Sequence, residues 1–262
     1  MKRLFLPLFV LSLILMSSCE LSSEKEPEVV LLPTNMTATV IMGSNTTKII
    51  ADFSYIPDSD LLDHITWSNH QTHYFEYNEK DQLKVVRQLK VKEKVQEEYW
   101  FTYEGELISE VILVKKNLDY AYLEPIDSSY TGRIAYEYEG KLIIRESEYG
   151  VQKGNKKEYL LREASYEYDG GGNILNSSTT YTKEDEADET VIMSYDSGKH
   201  PFSGLNYYFT GESFVNNQLT KTIGMMAYSY DVTLNEENYP EVVYEKLGSS
   251  NSRIFRYTYK NR

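Results

Sequence analysis

Pairs of aromatic residues with one polar residue between them recur along the chain. Each pair but the last, Tyr257 and Tyr259, precedes an acidic residue or Asn, a short turn-forming segment and then an apolar run; a degenerate copy has Met193 in place of the first ring. Residues 101–105, Phe-Thr-Tyr-Glu-Gly, followed by Leu107 and Ile108, show the pattern. Periods of 20 to 50 residues indicate an array of one supersecondary unit. The second ring of each unit is a tyrosine that returns every 26 to 35 residues, at Tyr77, Tyr103, Tyr138, Tyr168, Tyr195, Tyr230 and Tyr259.

The spacing inside each unit indicates a β-hairpin. Residues i and i+2 lie on the same face of a strand, whereas a helix separates them by about 200°. Gly, Asp and Asn after each pair supply the positive φ that tight turns need. The residues between the paired rings are polar, which predicts one wet face: Glu76, Thr102, Glu137, Glu167, Ser229 and Thr258.

These patterns predict an all-β fold, an antiparallel meander of repeated β-hairpins. About fourteen strands in one sheet must curl, so we expect one strongly curled sheet, either a half-barrel or a barrel-like shell, with its aromatic side inward. Strands over 36–42 and 48–55 should open the sheet. The 24 tyrosines, against 9 Phe and 2 Trp, suit such a half-buried pleated surface.

The N-terminus has the order of a secretory signal peptide over residues 1–18. A basic start precedes an apolar segment from Leu4 to Met16, and Ser17 and Ser18 follow it. Thirteen residues are too few for a membrane-spanning helix of roughly 20. The next residue, Cys19, is the only cysteine. We therefore predict that residues 1–18 are removed on export.

The residues around Cys19 resemble a bacterial lipobox, which implies lipidation of Cys19 as the mature N-terminus. Residues 19–34 are polar and lack periodicity, so we predict a lipid-anchored flexible tether before a single all-β domain over 35–262. The acids that follow Cys19 resemble the surface-export signal of Bacteroidetes lipoproteins. This resemblance implies an outer-membrane location with display at the cell surface, the periplasmic leaflet being the alternative.

The Tyr-x-Tyr-Asp/Glu-Gly units resemble YD repeats. The region from about Asn35 to Arg262 is similar to an uncharacterised family of Bacteroidetes lipoproteins with a porin-like β fold. Residues 196–202, Asp-Ser-Gly-Lys-His-Pro-Phe, resemble a segment of such lipoproteins, with His200 where Asn is usual. The resemblance implies the fold and assigns no activity. A pore is not implied, because a polar outer face differs from the apolar band of a transmembrane barrel.

The charge of the chain excludes some partners. With 40 acidic and 27 basic residues the formal net charge is −13, which repels nucleic acid and anionic headgroups. Membrane attachment is therefore expected through the N-terminal lipid alone. No catalytic, P-loop or dinucleotide motif is present, so we expect no catalytic residues and no cofactor.

No metal site is expected either. His70 and His73 have an odd spacing, which places them on opposite faces of a strand unless a turn intervenes. Residues 184–189 hold five acids and are predicted to form the solvated tip of a hairpin, with a calcium loop as the alternative.

Two aromatic residues fall on the predicted polar face. Tyr74 and Trp100 occupy the same place in consecutive units, and alternate strands lie roughly 10 Å apart. They are therefore candidate ligand-binding residues that would stack on neighbouring sugars or hold a partner protein. In the alternative interpretation they pack beneath the tether or a long loop.

Together these features suggest a non-enzymatic, surface-displayed binding module whose ligand is a glycan or a protein. A purely structural envelope protein is one alternative. A carboxylate-based glycan hydrolase is another, because acidic residues are abundant. The sequence indicates no oligomeric state.

Overall fold

A computed structural model describes residues 29–119, 125–152, 157–203, 205, 215–248 and 251–262, without the side chains of 125–127. Its strands run antiparallel in chain order, and the sheet closes into a barrel because β1 pairs with β16. Within the described ranges, no helix combines the length and the hydropathy that a membrane-spanning segment requires. The sixteen strands are β1 (Leu31–Met42), β2 (Asn45–Tyr55), β3 (Leu62–Trp67), β4 (Gln71–Tyr77), β5 (Leu83–Lys90), β6 (Val95–Glu104), β7 (Leu107–Leu118), β8 (Pro125–Glu139), β9 (Leu142–Val151), β10 (Glu158–Tyr168), β11 (Ile174–Tyr181), β12 (Glu189–Lys199), β13 (Asn216–Ile223), β14 (Met226–Leu234), β15 (Pro240–Leu247) and β16 (Asn251–Asn261).

The prediction of an all-β meander is confirmed, and the barrel-like alternative is the correct one. The two opening strands lie where they were expected. The first strand begins at Leu31, so residues 31–34 belong to the sheet instead of the predicted tether. The signal peptide, Cys19 and most of the tether lie outside the described residues. The acidic run at 184–189 lies largely in the connection between β11 and β12, as predicted for a hairpin tip.

Strand direction gives the barrel two distinct ends. The end that contains Leu31 and the turns at 78–82, 105–106 and 140–141 is called the ladder end. The opposite end, with the turns at 43–44 and 224–225, is called the open end.

The two faces of the sheet divide by side-chain type as the alternation predicts. Phe53, Phe75 and Val86 point into the lumen and are buried in one apolar cluster. The six polar residues that separate the paired rings are all exposed on the outer face. The aromatic side of the sheet therefore fills the barrel and its polar side faces outward.

A ladder of tyrosine hydrogen bonds surrounds the ladder end. The Tyr138 hydroxyl donates to the carbonyl of Ile108 at 2.8 Å, and Ile108 is the residue opposite Tyr103 on the neighbouring strand. In the same way, the Tyr168 hydroxyl donates at 2.8 Å to Ile143, the residue opposite Tyr138. The other donor and acceptor pairs are Tyr55 to Pro33, Tyr103 to Leu83, Tyr195 to Ile174 and Tyr259 to Pro240. Tyr77 interacts with the backbone of Leu62, the residue opposite Tyr55.

Bulges explain why the tyrosines are needed. The register shifts just before Tyr103, Tyr138 and Tyr168, so one extra residue stands on the following strand. A bulge disrupts local strand pairing, and the hydroxyl of the next tyrosine supplies a donor for the carbonyl beside it. Burial raises the pKa of Tyr103, Tyr138 and Tyr168 to about 12, so these hydroxyls remain protonated donors at neutral pH.

The ladder crosses the closing seam and has one interruption. Tyr259 lies opposite Pro33, whose carbonyl accepts the bond from Tyr55. The sequence pattern missed Tyr55 and wrongly placed Tyr230 in this column. Strand β14 continues four residues beyond Tyr230, so Leu234 takes the place after the bulge, opposite Pro240. The described ladder is therefore broken between β12 and β15.

Candidate functional site

The connection after β12 enters the lumen where the ladder is broken. Residues 200–203 are called the plug. The Phe202 ring lies 5.8 Å from Phe53 and 6.2 Å from Tyr257, centroid to centroid. The plug begins within the segment 196–202 that sequence analysis had singled out.

Local packing fixes the start of the plug. A side chain at Gly198 would place its Cβ 2.6 Å from Asn217 Nδ2 and 2.9 Å from Leu234 Cδ1, so the side chains of Asn217 and Leu234 would have to shift to admit any other residue. His200 Nδ1 accepts the Phe202 backbone N–H at 3.2 Å. Burial lowers the pKa of His200 to about 3, which keeps the ring neutral.

A cavity of about 410 Å³ lies between the plug and the wall formed by β12 to β16. Its volume is in the range of small-ligand sites, ~300–1,000 Å³. The lining combines rings and polar groups, and the residues that matter below are Asn217, Lys221, Tyr228, Tyr230, Glu245 and Arg253.

A buried carboxylate holds one of the cavity's cations. Glu245 is 5% exposed and accepts a hydrogen bond from Arg253 Nε at 2.6 Å. Tyr230 lies beside Glu245, and burial together with the Glu245 carboxylate raises the pKa of Tyr230. The Arg253 side chain is 45% exposed although it points into the lumen. Water therefore reaches the cavity near the open end.

Two further polar groups in the cavity have no hydrogen-bond or ion-pair partner among the described residues. Lys221 lies opposite Met193 and Tyr228 in the register, and forms no ion pair with any described residue. Asn217 is 3% exposed, and its Oδ1 accepts no hydrogen bond from the described part of the chain. The cavity thus offers a cation and an acceptor to a ligand.

A second charged cluster lies in the lumen. Glu146 is 1% exposed and accepts from Arg162 Nη2 at 2.8 Å, while Glu148 accepts from Arg162 Nε at 2.7 Å. Burial raises the pKa of Glu146, against the opposing effect of Arg162. Glu146 is closed off from solvent, whereas the side chains of Glu148 and Arg162 stay partly exposed, and Arg162 pairs with both carboxylates.

The residues proposed from the sequence as ligand contacts, Tyr74 and Trp100, lie on the outer face. Tyr74 is 43% exposed and stands opposite Arg87. The Arg87 guanidinium carbon lies 5.9 Å from the Trp100 ring centroid, between the two aromatic residues. Trp100 Nε1 donates to the buried Glu98 at 3.0 Å. The two rings therefore share one surface, with an arginine separating them.

The two histidines of the H-x-x-H spacing do not come together. His70 lies in the turn between β3 and β4 with φ of 70°. His73 faces the lumen, where its ring lies 5.8 Å from that of Trp67. Among the described residues, no group of three or more potential metal ligands is found.

Sequence reasoning missed Lys221, Glu245 and Arg253 because they lie on three different strands. One local signal was available for Arg253. It precedes Phe255 and Tyr257 at spacings of two and four, which places a charge on the aromatic face.

Comparisons with known proteins bear on the fold. No family model matches the sequence, and no curated protein matches it. A porin-like protein from Bacteroides vulgatus has a similar structure, with 13% identity and a TM-score of 0.54, over 88% of this chain and 99% of that one. A porin-like protein from Bacteroides uniformis aligns with 11% identity and a TM-score of 0.35, over 87% and 98%. The first likeness supports the barrel fold; the second is too distant to support an argument.

Proposed function

We propose that this protein is a lipid-anchored, non-enzymatic binding module of the cell envelope whose lumen cavity holds the end of a glycan. The observation that carries the proposal is the water-accessible cavity of about 410 Å³, where tyrosine rings stand beside Asn217, Lys221 and Arg253. Sugars have apolar ring faces that stack on aromatic side chains, and hydroxyls that need hydrogen-bond partners.

The size of the site favours a glycan over a protein partner. A stable protein interface covers about 800 Å² on each side, whereas this site is a concave space suited to one small group. Binding is favoured over hydrolysis because each carboxylate of the charged lumen clusters is engaged by an arginine: Glu245 by Arg253, and Glu146 and Glu148 by Arg162.

The predicted leader and the polar outer face support the proposed envelope location. The proposed lipidation of Cys19 supplies an anchor, and the porin-like fold of the Bacteroides vulgatus protein is consistent with this compartment. The outer face carries charged and hydroxyl side chains such as Lys48, Glu76 and Thr102, all exposed. These outward-facing side chains differ from the apolar band that a transmembrane barrel presents to lipid. We therefore propose that the protein is attached at the cell surface through Cys19.

A glycan array probed with the purified protein tests the proposal. Tyr228→Ala in the cavity should abolish binding, while Trp100→Ala on the outer face should leave it unchanged. The opposite result would move the site to the surface around Tyr74 and Trp100. A blank array would favour the purely structural envelope role.

A further inference from the structure

Resting on the proposed function, we infer that the cavity takes an acidic sugar, a terminal hexuronate, whose carboxylate is bound by Lys221 and Arg253. Both side chains line the cavity, on β13 and β16. The sequence motifs did not point to either residue.

The charges around the cavity do not balance. Among the described residues that line the cavity, Lys221 and Arg253 contribute two cations and Glu245 one carboxylate, which leaves one positive charge in a chain whose formal net charge is −13. Elsewhere in the lumen, Arg162 is paired with two carboxylates and Lys90 with Glu97 at 2.8 Å. An uncompensated cation in a partly desolvated space favours an anionic ligand.

Arg253 is oriented for carboxylate binding. Its Nε is occupied by Glu245, and its Nη1 and Nη2 donate to no described residue. A guanidinium binds a carboxylate through two parallel N–H donors, which gives directional recognition. Glu245 acts as a positioning residue, since it holds the Arg253 side chain and is itself sealed from solvent.

The rest of the cavity fits a sugar ring. Tyr228 and Tyr257 supply aromatic surface, and Asn217 Oδ1 supplies an acceptor for a hydroxyl. Because the plug lies at the ladder end and water enters near Arg253, the ligand reaches the cavity from the open end and stops there. This arrangement suits the terminal residue of a glycan better than an internal one.

Methyl β-glucuronide and methyl β-glucoside form a matched pair of probes, since they differ only by a carboxylate in place of a hydroxymethyl group. The whole protein, purified in mild detergent, is titrated with each by NMR at low salt. The glucuronide should bind about tenfold more tightly. Arg253→Gln and Lys221→Gln should each remove most of this preference.

Control substitutions separate charge at the site from charge in general. Arg256 lies on the same strand as Arg253 but on the outer face, and Lys48 is exposed on β2. Arg256→Gln and Lys48→Gln should both keep the preference for the glucuronide over the glucoside. If Arg253→Gln fails to fold because Glu245 loses its partner, Lys221→Gln carries the test, with circular dichroism as the folding control.

Equal binding of both sugars would overturn the inference and leave glycan binding intact. Binding of neither probe would overturn it too, and the glycan array decides separately whether glycan binding survives. An oligosaccharide that ends in glucuronate should compete with the methyl glucuronide, and one with only internal glucuronate should not. Equal competition by both would contradict the terminal geometry.

Discussion

Replacement of Tyr138 by Phe tests the tyrosine ladder with one atom removed. The ring stays in place, and only the hydroxyl that donates to Ile108 at 2.8 Å is lost. A neutral hydrogen bond contributes a net ~0.5–1.5 kcal/mol, and an acceptor left buried costs ~1–3 kcal/mol. Ile108 is 8% exposed, so its carbonyl has little access to water. We expect a loss of about 1–2 kcal/mol of unfolding free energy.

Urea unfolding followed by circular dichroism measures this loss. The midpoint should fall with the slope unchanged, because the surface exposed on unfolding is the same. Tyr74→Phe is the matched control, since Tyr74 is 43% exposed on the outer face and surface changes stay within about 0.5 kcal/mol. If Tyr138→Phe were as mild as Tyr74→Phe, the hydroxyl would have no role in stability and the ladder argument would fail.

A double-mutant cycle examines whether neighbouring members of the ladder act together. Tyr168 donates to Ile143, the residue that stands opposite Tyr138. Tyr138→Phe and Tyr168→Phe share this bulge, so we expect a coupling of about 0.5 kcal/mol or more. Tyr138 and Tyr259 lie on β8 and β16, on opposite sides of the barrel. The losses of unfolding free energy from Tyr138→Phe and Tyr259→Phe should therefore add. Additivity in both pairs would show that each bond acts alone.

Three further predictions concern other parts of the chain. Cys19→Ala should release the protein from membranes in a fractionation assay, and unchanged fractionation would contradict lipidation. Burial lowers the pKa of His73 to about 4 and of His200 to about 3, below the ordinary value near 6.5. The free energy of unfolding should therefore be highest above pH 6.5 and fall as the pH drops toward the folded pKa, by about 2 kcal/mol per histidine between pH 7 and pH 5. His200→Asn should remove one of these two contributions from the difference in unfolding free energy between pH 7 and pH 5, and an unaltered difference would refute the argument. In thermal unfolding, Gly198→Ala should destabilise the barrel by about 1–3 kcal/mol, because the new Cβ meets Asn217 and Leu234. Gly170→Ala should be neutral in that assay, because a Cβ at Gly170 meets nothing within 4 Å.

The fold could be predicted because its signals are local. Alternation with period two set the inward and outward faces, and turn residues marked the hairpins. Closure had no local signal, since it depends on pairing between residues such as Leu31 and Asn261 at opposite ends of the chain. A half-barrel and a full barrel therefore remained equivalent on sequence grounds.

The candidate site was harder to predict because it depends on register. Strand β14 runs on to Leu234, which stands opposite Pro240 and takes the ladder position in place of Tyr230. The repeat pattern followed the aromatic pair and did not weigh the four residues between Tyr230 and the turn. The outer-face residues Tyr74 and Trp100 were found by position alone. Lys221 and Arg253 line the same cavity only once the four strands from β13 to β16 are paired in register.

The interruption of the ladder and the cavity have one physical origin. Side chains fill the interior of a barrel of about eight strands, while wider barrels leave space inside. With sixteen strands, this barrel depends on large inward rings and on the plug at Phe202 to occupy its lumen. At the ladder position of β14, opposite Pro240, the chain has Leu234, which has no hydroxyl to donate. The plug fills part of the lumen beside this position, and the cavity next to Glu245 remains open. The break in the described ladder therefore lies beside the cavity in which we propose that a ligand binds.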